Sequence, residues 1–337
     1  VKLRILSEAD ARRCLTVAEA VEAQAEAFAA LAAGQSIEGL RSVVASDAPP
    51  AITIFNPAYL KNAQGFGIKV VSDFLRNDDV TTPRMSALVV LFSGTTGLPR
   101  TVMEAGYLTD LRTGAGTALA ARHLANPESS SLVLFGAGRV ARNQVIALAG
   151  TLPLRRIRVV ARSRARGEAF VRWARDGGDG IPRDVALADD AEAAVADADI
   201  VVCATTADQP VLHGRVLRPG TFVAAVGANR KDTREVDSTT IARAVKRVID
   251  SRADCLKHAG DFLIPMAEGI LRDEDVAEIA EIVAGRRPGR QSADEITFYK
   301  SIGAPIQDIW TAQRVEARAI ADNIGTLVEI GGDPIRL

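Results

Sequence analysis

The chain has 337 residues, 47% of them hydrophobic and 25% charged, which is ample apolar material for two domains or one large one and excludes general disorder. Lys plus Arg number 41 against 42 for Asp plus Glu, and the formal charge of −1 argues against a basic nucleic-acid-binding surface. No apolar run approaches the roughly 20 residues of a membrane span, Val1-Lys2-Leu3-Arg4 lacks a signal-peptide apolar region, and neither Cys14, Cys203 and Cys255 nor His123, His213 and His258 have ligand spacing. The expectation is therefore a cytoplasmic protein with no metal, nucleic-acid or membrane partner.

The first forty residues read as helical. Ser7-Glu8-Ala9-Asp10 and Thr16-Val17-Ala18-Glu19 have the pattern of capped helix starts, and an Ala-rich run follows to Ala33 with Gly34 placed to end it. From Arg41 the pattern turns to short β-branched runs at 41–44, 51–55, 65–71 and 87–92, the last joined to 100–103 by Ser93-Gly94-Thr95-Thr96-Gly97 as a hairpin. A mostly antiparallel sheet with a packed helix is expected. Thr109 to Leu124 reads as a helix capped by Thr109, and Asn126-Pro127-Glu128-Ser129-Ser130 as the linker to a second domain. Beyond it, apolar strands at 132–135, 157–160, 199–203, 221–226 and 247–250 alternate with helical segments, the grammar of a doubly wound parallel sheet. Asp308 to Ile324 reads as an amphipathic helix returning to the first domain.

Gly136-Ala137-Gly138-Arg139-Val140-Ala141 is G-x-G-x-x-A directly after an apolar strand and at the opening of a helix, the context in which this pattern binds a dinucleotide. The first glycine makes the turn, the second admits the pyrophosphate, and the helix N-terminus offers N–H groups and partial positive charge. The next strand ends in Ala161-Arg162-Ser163-Arg164, with no acid before Glu168 for ribose hydroxyls. Arginines there suit the 2′-phosphate, so NADP(H) is expected ahead of NAD(H).

Three cations in the first part stand out. Lys69 interrupts an apolar strand, where a buried ammonium needs a partner. Arg112 sits in the first turn of the expected Thr109 helix, where the dipole disfavours a cation unless an anion joins it. Arg41 opens a strand, and its fork can hold a carboxylate bidentately.

With these residues in view, the chain resembles the ornithine cyclodeaminase/mu-crystallin family. The resemblance is carried by Gly67-Ile68-Lys69-Val70-Val71-Ser72, Thr96-Gly97-Leu98-Pro99 and Gly106-Tyr107-Leu108-Thr109-Asp110-Leu111-Arg112-Thr113-Gly114-Ala115. Further on it is carried by Gly136-Ala137-Gly138, Ala225-Val226-Gly227-Ala228, Gly260-Asp261 and Thr297 to Gly303. It implies an α/β fold in which a Rossmann dinucleotide-binding domain (126–304) is inserted in an α+β substrate-binding and dimerisation domain (1–125 plus 305–337), and a homodimer built through the N-terminal sheet. It also implies a small imino or amino acid bound at the domain cleft beside the nicotinamide. Arg41, Lys69 and Arg112 would hold its carboxylate, and Lys69 would also take part in proton transfer. Beside Gly136 to Val140 and Ala161 to Arg164, cofactor contacts are expected from Arg84, Arg112, Thr113 and Thr205, and from Val226, Gly227, Ala228 and Gly303.

Two residues depart from the cyclodeaminases. Asn229 stands where they carry an aspartate that acts on the substrate amine, and an amide cannot take that proton. Arg84 replaces a small hydroxyl residue. Asn229 is therefore expected to orient a substrate nitrogen rather than act as a base. The resemblance then implies an NAD(P)H-dependent reductase of a cyclic ketimine such as pyrroline- or piperideine-2-carboxylate. The alternatives are ornithine cyclodeaminase, a linear alanine- or arginine-type dehydrogenase, and a crystallin-like cofactor-binding protein without turnover.

Overall fold

The computed structural model of the chain describes residues 1–61, 65–74, 83–177 and 180–331. The chain divides into two compact units, Val1–Arg112 with Ala304–Leu337, and Thr113–Gly303. The last residues of the expected first domain, 332–337, lie outside the described residues. No helix among the described residues is long and apolar enough to cross a membrane.

The first unit begins with β1 (Lys2–Leu6), α1 (Glu8–Cys14) and α2 (Val17–Ala32). The opening residues form a strand, where the sequence reading had only helix: Leu3 and Leu6 are buried while Lys2 and Ile5 face outward, and β1 pairs in parallel with β7 (Pro99–Glu104). Both helix starts are closed by reciprocal capping boxes, Ser7 with Asp10 and Thr16 with Glu19. Next come β2 (Ser36–Glu38), β3 (Ser42–Asp47), β4 (Pro50–Leu60), β5 (Gly65–Phe74) and β6 (Met85–Phe92), which with β7 complete an antiparallel meander. The expected hairpin is the β6–β7 pair, with a register shift between Leu91 and Phe92.

α3 (Gly106–Leu124) starts one turn before the expected Thr109 cap. Glu104 Oε1 accepts the Gly106 N–H at 2.7 Å, so a carboxylate from the preceding strand serves the exposed helix start. Arg112 consequently lies in the second turn, and the dipole argument applied to it in the first turn does not hold. The division between the units falls inside α3, not at the Asn126–Ser130 linker. The reason is local: the carbonyls of His123 and Leu124 accept hydrogen bonds from Arg290, and that of Leu124 also from Thr297, which ties the end of α3 to the second unit.

The second unit holds β8 (Ser131–Phe135), α4 (Arg139–Ala149), β9 (Arg156–Val160), α5 (Arg164–Asp176), β10 (Asp184–Leu187), α6 (Ala191–Ala196), β11 (Ile200–Cys203) and β12 (Phe222–Ala225). It continues with α7 (Ser238–Arg243), β13 (Lys246–Ile249), α8 (Arg252–His258), α9 (Gly260–Ala267), β14 (Val276–Glu278), α10 (Ile279–Val283) and β15 (Thr297–Lys300). Its strands run β10-β9-β8-β11-β12-β15-β13-β14, all parallel. The central strands are buried along their whole length, as a sheet covered on both faces requires. The order in which strands are added reverses between β8 and β11, the switch point at which open α/β sheets receive ligands.

The chain returns to the first unit as α11 (Pro305–Ala321) and β16 (Thr326–Glu329), the latter an edge strand on β1. Ile306, Ile309, Ala312, Val315 and Ala319 form the buried stripe of α11, which packs on β4, β5 and β6. Gly67 sets this approach. A Cβ there would stand 2.7 Å from Ile309 Cγ2 and 2.8 Å from its Cδ1, so only glycine lets the helix lie this close to β5.

Candidate active site

Along β5, Gly67, Lys69 and Val71 point to the buried face, at the period of two that a strand imposes. The close seat of Ile309 over Gly67 brings the preceding residue of α11, Asp308, against Lys69. Lys69 Nζ lies 2.6 Å from Asp308 Oδ2, and Arg112 Nε lies 2.9 Å from Asp308 Oδ1. All three side chains are buried. Arg112 Nη1 also donates to Gln307 Oε1 at 3.1 Å. Gln307 is fixed in turn: its Oε1 accepts from the Ala304 N–H, and its Nε2 donates to Gln24 Oε1 at 2.9 Å. Pro305 at the start of α11 needs no N–H partner, and Glu38 Oε1 takes the Ile306 N–H.

Burial pulls the Lys69 ammonium down to about 8; Asp308 opposes this, while Arg112 and Arg41 add to it. Arg41, half-buried just ahead of β3, is thus electrostatically part of the group. Two buried cations, Lys69 and Arg112, share one carboxylate, and Arg41 adds its positive charge to the field at Lys69. Burying ions without compensation costs several kcal/mol each, so the arrangement favours an anion, and a forked guanidinium favours a carboxylate.

The second unit carries the dinucleotide cradle. Gly136 adopts φ +109°, and a Cβ there would meet the Ala204 carbonyl at 2.3 Å, so the turn after β8 admits only glycine. Gly138 caps α4 without a side-chain bond, and a Cβ there would meet nothing within 4 Å, so the backbone is open to a close approach. The first turn of α4 carries no acid and begins with Arg139. These features fit a pyrophosphate at the helix N-terminus. At the end of β9, Ala161 is half-buried and Arg162 and Ser163 are exposed; Ser163 caps α5, and Arg164 Nε pairs with Glu168 at 2.9 Å.

Beneath the loops that follow β11 and β12 lies a buried polar network that sequence reasoning missed. The Glu235 carboxylate accepts from Thr205 N and Oγ1, both at 2.7 Å, from Gly227 N at 2.6 Å and from Ala228 N at 3.1 Å. Asp261 accepts from the N–H groups of Glu235 and Val236 and pairs with Lys300 Nζ at 2.7 Å, both side chains being fully buried. Lys300 Nζ also donates to the Ala228 carbonyl at 2.6 Å. Burial works against the Lys300 charge, but Asp261 and Glu235 outweigh it and hold the ammonium above its ordinary range. A third buried acid, Asp250, accepts from Ser301 Oγ, Ile302 N and Gly303 N. Thr205, Gly227, Ala228 and Gly303, all expected on the cofactor, are therefore fixed by carboxylates from below.

The remaining candidates are placed as follows. Thr113 begins the second unit in α3, and its carbonyl accepts from Thr117. Val226 is half-buried beyond β12, and Asn229 is exposed, just past the anchored Ala228. Ala137 and Val140 lie half-buried in the glycine turn and the first turn of α4. Arg84 is exposed, and Asp73 holds its guanidinium through two bonds of 2.7 and 3.0 Å.

Glu235 had no sequence signal, but Asp308 had one: it sits beside Ile309 on the apolar stripe of an amphipathic helix, where an acid needs a buried cation.

The model of the ornithine cyclodeaminase/mu-crystallin family matches residues 2–323, and the chain belongs to that family. In structure it is similar to the Thermococcus litoralis Delta(1)-pyrroline-2-carboxylate reductase in complex with NADH and L-proline. That match has 32% identity and a TM-score of 0.91, and covers 96% of this chain and 100% of that one. An archaeal alanine dehydrogenase dimer with bound NAD matches at 30% identity and a TM-score of 0.90, over 98% of this chain and 100% of the other. In sequence, a Delta(1)-pyrroline-2-carboxylate reductase of Paracoccus denitrificans is 35% identical over 81% of this chain and 85% of its own length.

Proposed function

We propose that the protein is an NAD(P)H-dependent reductase of a small cyclic imino acid, of the pyrroline- or piperideine-2-carboxylate kind. The observation that carries this reading is the buried pair of Lys69 and Arg112 on one aspartate, with Arg41 near enough to act on Lys69, a site suited to a carboxylate beside a proton donor. The relatives named as pyrroline-2-carboxylate reductases support it. Arg112 and Arg41 take the substrate carboxylate and set its orientation. Lys69, with its ammonium pulled down to about 8, gives a proton to the imine nitrogen. The Gly136 turn and the start of α4 hold the pyrophosphate, and Thr205 with Val226 to Ala228 support the nicotinamide. When bound, the reduced nicotinamide supplies hydride to the imine carbon.

Asn229 supplies no carboxylate for ammonia release, which sets the reading apart from the cyclodeaminases. The test is a panel of cyclic imino acids, linear imino acids and ornithine, followed both by NADPH or NADH oxidation and by ammonia release. Cofactor oxidation with pyrroline-2-carboxylate or piperideine-2-carboxylate is expected. Efficient ammonia release from ornithine without net cofactor use contradicts the reading, as does a strong preference for L-alanine oxidation.

NADP(H) is the proposed preference. β9 ends without an acid, and Arg164 already pairs with Glu168, so Arg162 is the main candidate for the 2′-phosphate. Replacing Arg162 and Arg164 by alanine is expected to raise KM for NADPH about tenfold or more, the loss of one charge-assisted bond, with little change for NADH. Equal weakening of both cofactors in the same assay would assign the arginines to general phosphate attraction.

The protein is read as a homodimer through the first unit's sheet, where Val43, Val44, Phe66 and Leu88 are about half exposed, an apolar surface that a second copy would cover. Three free, buried cysteines suit a reducing cytoplasm.

A further inference from the structure

We propose that Asp308 is the positioning residue of this site: its single buried carboxylate fixes Lys69 and Arg112 and keeps Lys69 in the ammonium form that gives the proton. This rests on the reductase reading of the same site. The geometry is specific. One carboxylate oxygen meets Lys69 Nζ at 2.6 Å and the other meets Arg112 Nε at 2.9 Å. The neighbouring Gln307 takes Arg112 Nη1, so two successive residues of α11 hold the guanidinium in place. Gly67 makes this possible by admitting Ile309 against β5.

The charges facing Lys69 explain why the acid is needed. Arg112 reaches it from α3, Arg41 from the segment before β3, and Asp308 from α11; the residues opposite it in the sheet, Asn56 and Val89, carry no charge. Burial and both guanidiniums favour the neutral amine, and Asp308 is the group that opposes them. Without it, Lys69 and Arg112 would both lose the carboxylate that pairs them.

In the forward step an N–H bond of the Lys69 ammonium breaks and a new N–H bond forms at the imine nitrogen, while the imine carbon is reduced at the expense of the reduced nicotinamide. The neutral amine then regains its proton from solvent. In the reverse oxidation Lys69 must begin neutral.

The test is Asp308→Asn, which keeps the side-chain shape and removes the charge. Two readouts are used. The first is the titration of Lys69 in protein with isotopically labelled lysine, followed by NMR without cofactor and assigned with Lys69→Arg. The midpoint is expected to fall by roughly 1–3 pH units, the effect of losing an adjacent opposite charge. The second is the pH profile: the basic limb of reduction and the acidic limb of oxidation should both move down by a similar amount. Asp308→Glu should return the limb toward the native position, and Asp308→Ser, which admits water beside Lys69, carries the test if the asparagine variant does not fold.

A lowered plateau with unmoved limbs and an unmoved Lys69 titration would reduce Asp308 to a structural role and overturn the proposal. A moved titration in a protein that reduces no imino acid would leave the Asp308–Lys69 coupling standing and remove the substrate reading instead.

Discussion

Lys69→Ala is expected to lower kcat for imino acid reduction by roughly 10²–10⁴-fold, the range for loss of a positioned proton donor. The cause is local. Lys69 is the buried lysine of β5, its ammonium is pulled down to about 8, and the neighbouring arginines cannot give up a proton in its place. The protein should still fold, because Asp308 keeps Arg112 as a partner and is not left as an isolated buried charge. Binding of the dinucleotide should change little, since the Gly136 turn and the network under Thr205, Gly227 and Ala228 belong to the second unit and do not include Lys69. Steady-state rates, cofactor titration and thermal unfolding of the same preparation check all three expectations. Near-native turnover would remove Lys69 from the mechanism.

Lys300→Met is expected to produce the largest loss of stability. The ammonium is fully buried between Asp261 Oδ2 and the Ala228 carbonyl, and methionine keeps the stem but not the charge. Removing one partner of a buried pair costs about 3–5 kcal/mol, because the other is left uncompensated. For a unit of this size that corresponds to a Tm lower by roughly 6–20 °C. Lys300→Met combined with Asp261→Asn should recover part of the loss, since no lone charge then remains. Cofactor affinity should fall as well, because the Ala228 loop loses one of its two anchors. Calorimetry of the native protein and both variants measures the effect. A single variant as stable as the native protein would show that Asp261 does not depend on this lysine.

Much of the fold was legible because its signals are local. The Ser7 and Thr16 caps, the hairpin at Ser93–Gly97 and the glycine turn after an apolar strand each lie within a few residues of sequence. The strands at one side of the first sheet were not legible in the same way: β1 and the edge strand β16 are short, and they are defined by pairing, β16 with β1 and β1 with β7. β15 was seen only as a family motif, although it lies between β12 and β13 in the middle of the parallel sheet.

Within the site, the cations were visible because a lysine in an apolar strand is anomalous by itself. Their counter-ion was easier to miss, although it lies on the apolar stripe of α11. Asp308 stands in the first turn of a helix, where an acid already has an ordinary explanation in the dipole. Glu235 and Asp261 lie in a loop and at a helix start, and only the folded backbone shows that each is fully buried and serves several N–H groups. The register of α3 was misread for a related reason: Thr109 looked like a cap, while the group that serves the helix start, Glu104, lies on the preceding strand.

Hydride transfer to the imine carbon is tested most directly by reduction of pyrroline-2-carboxylate with NADPH carrying deuterium at both C4 positions, with the product examined by mass spectrometry and NMR. The expected result is proline labelled with one deuterium at C2 for each NADPH oxidised, and no ammonia release from ornithine under the same conditions. Unlabelled proline, or ornithine turnover with ammonia release and no net loss of NADPH, would contradict it.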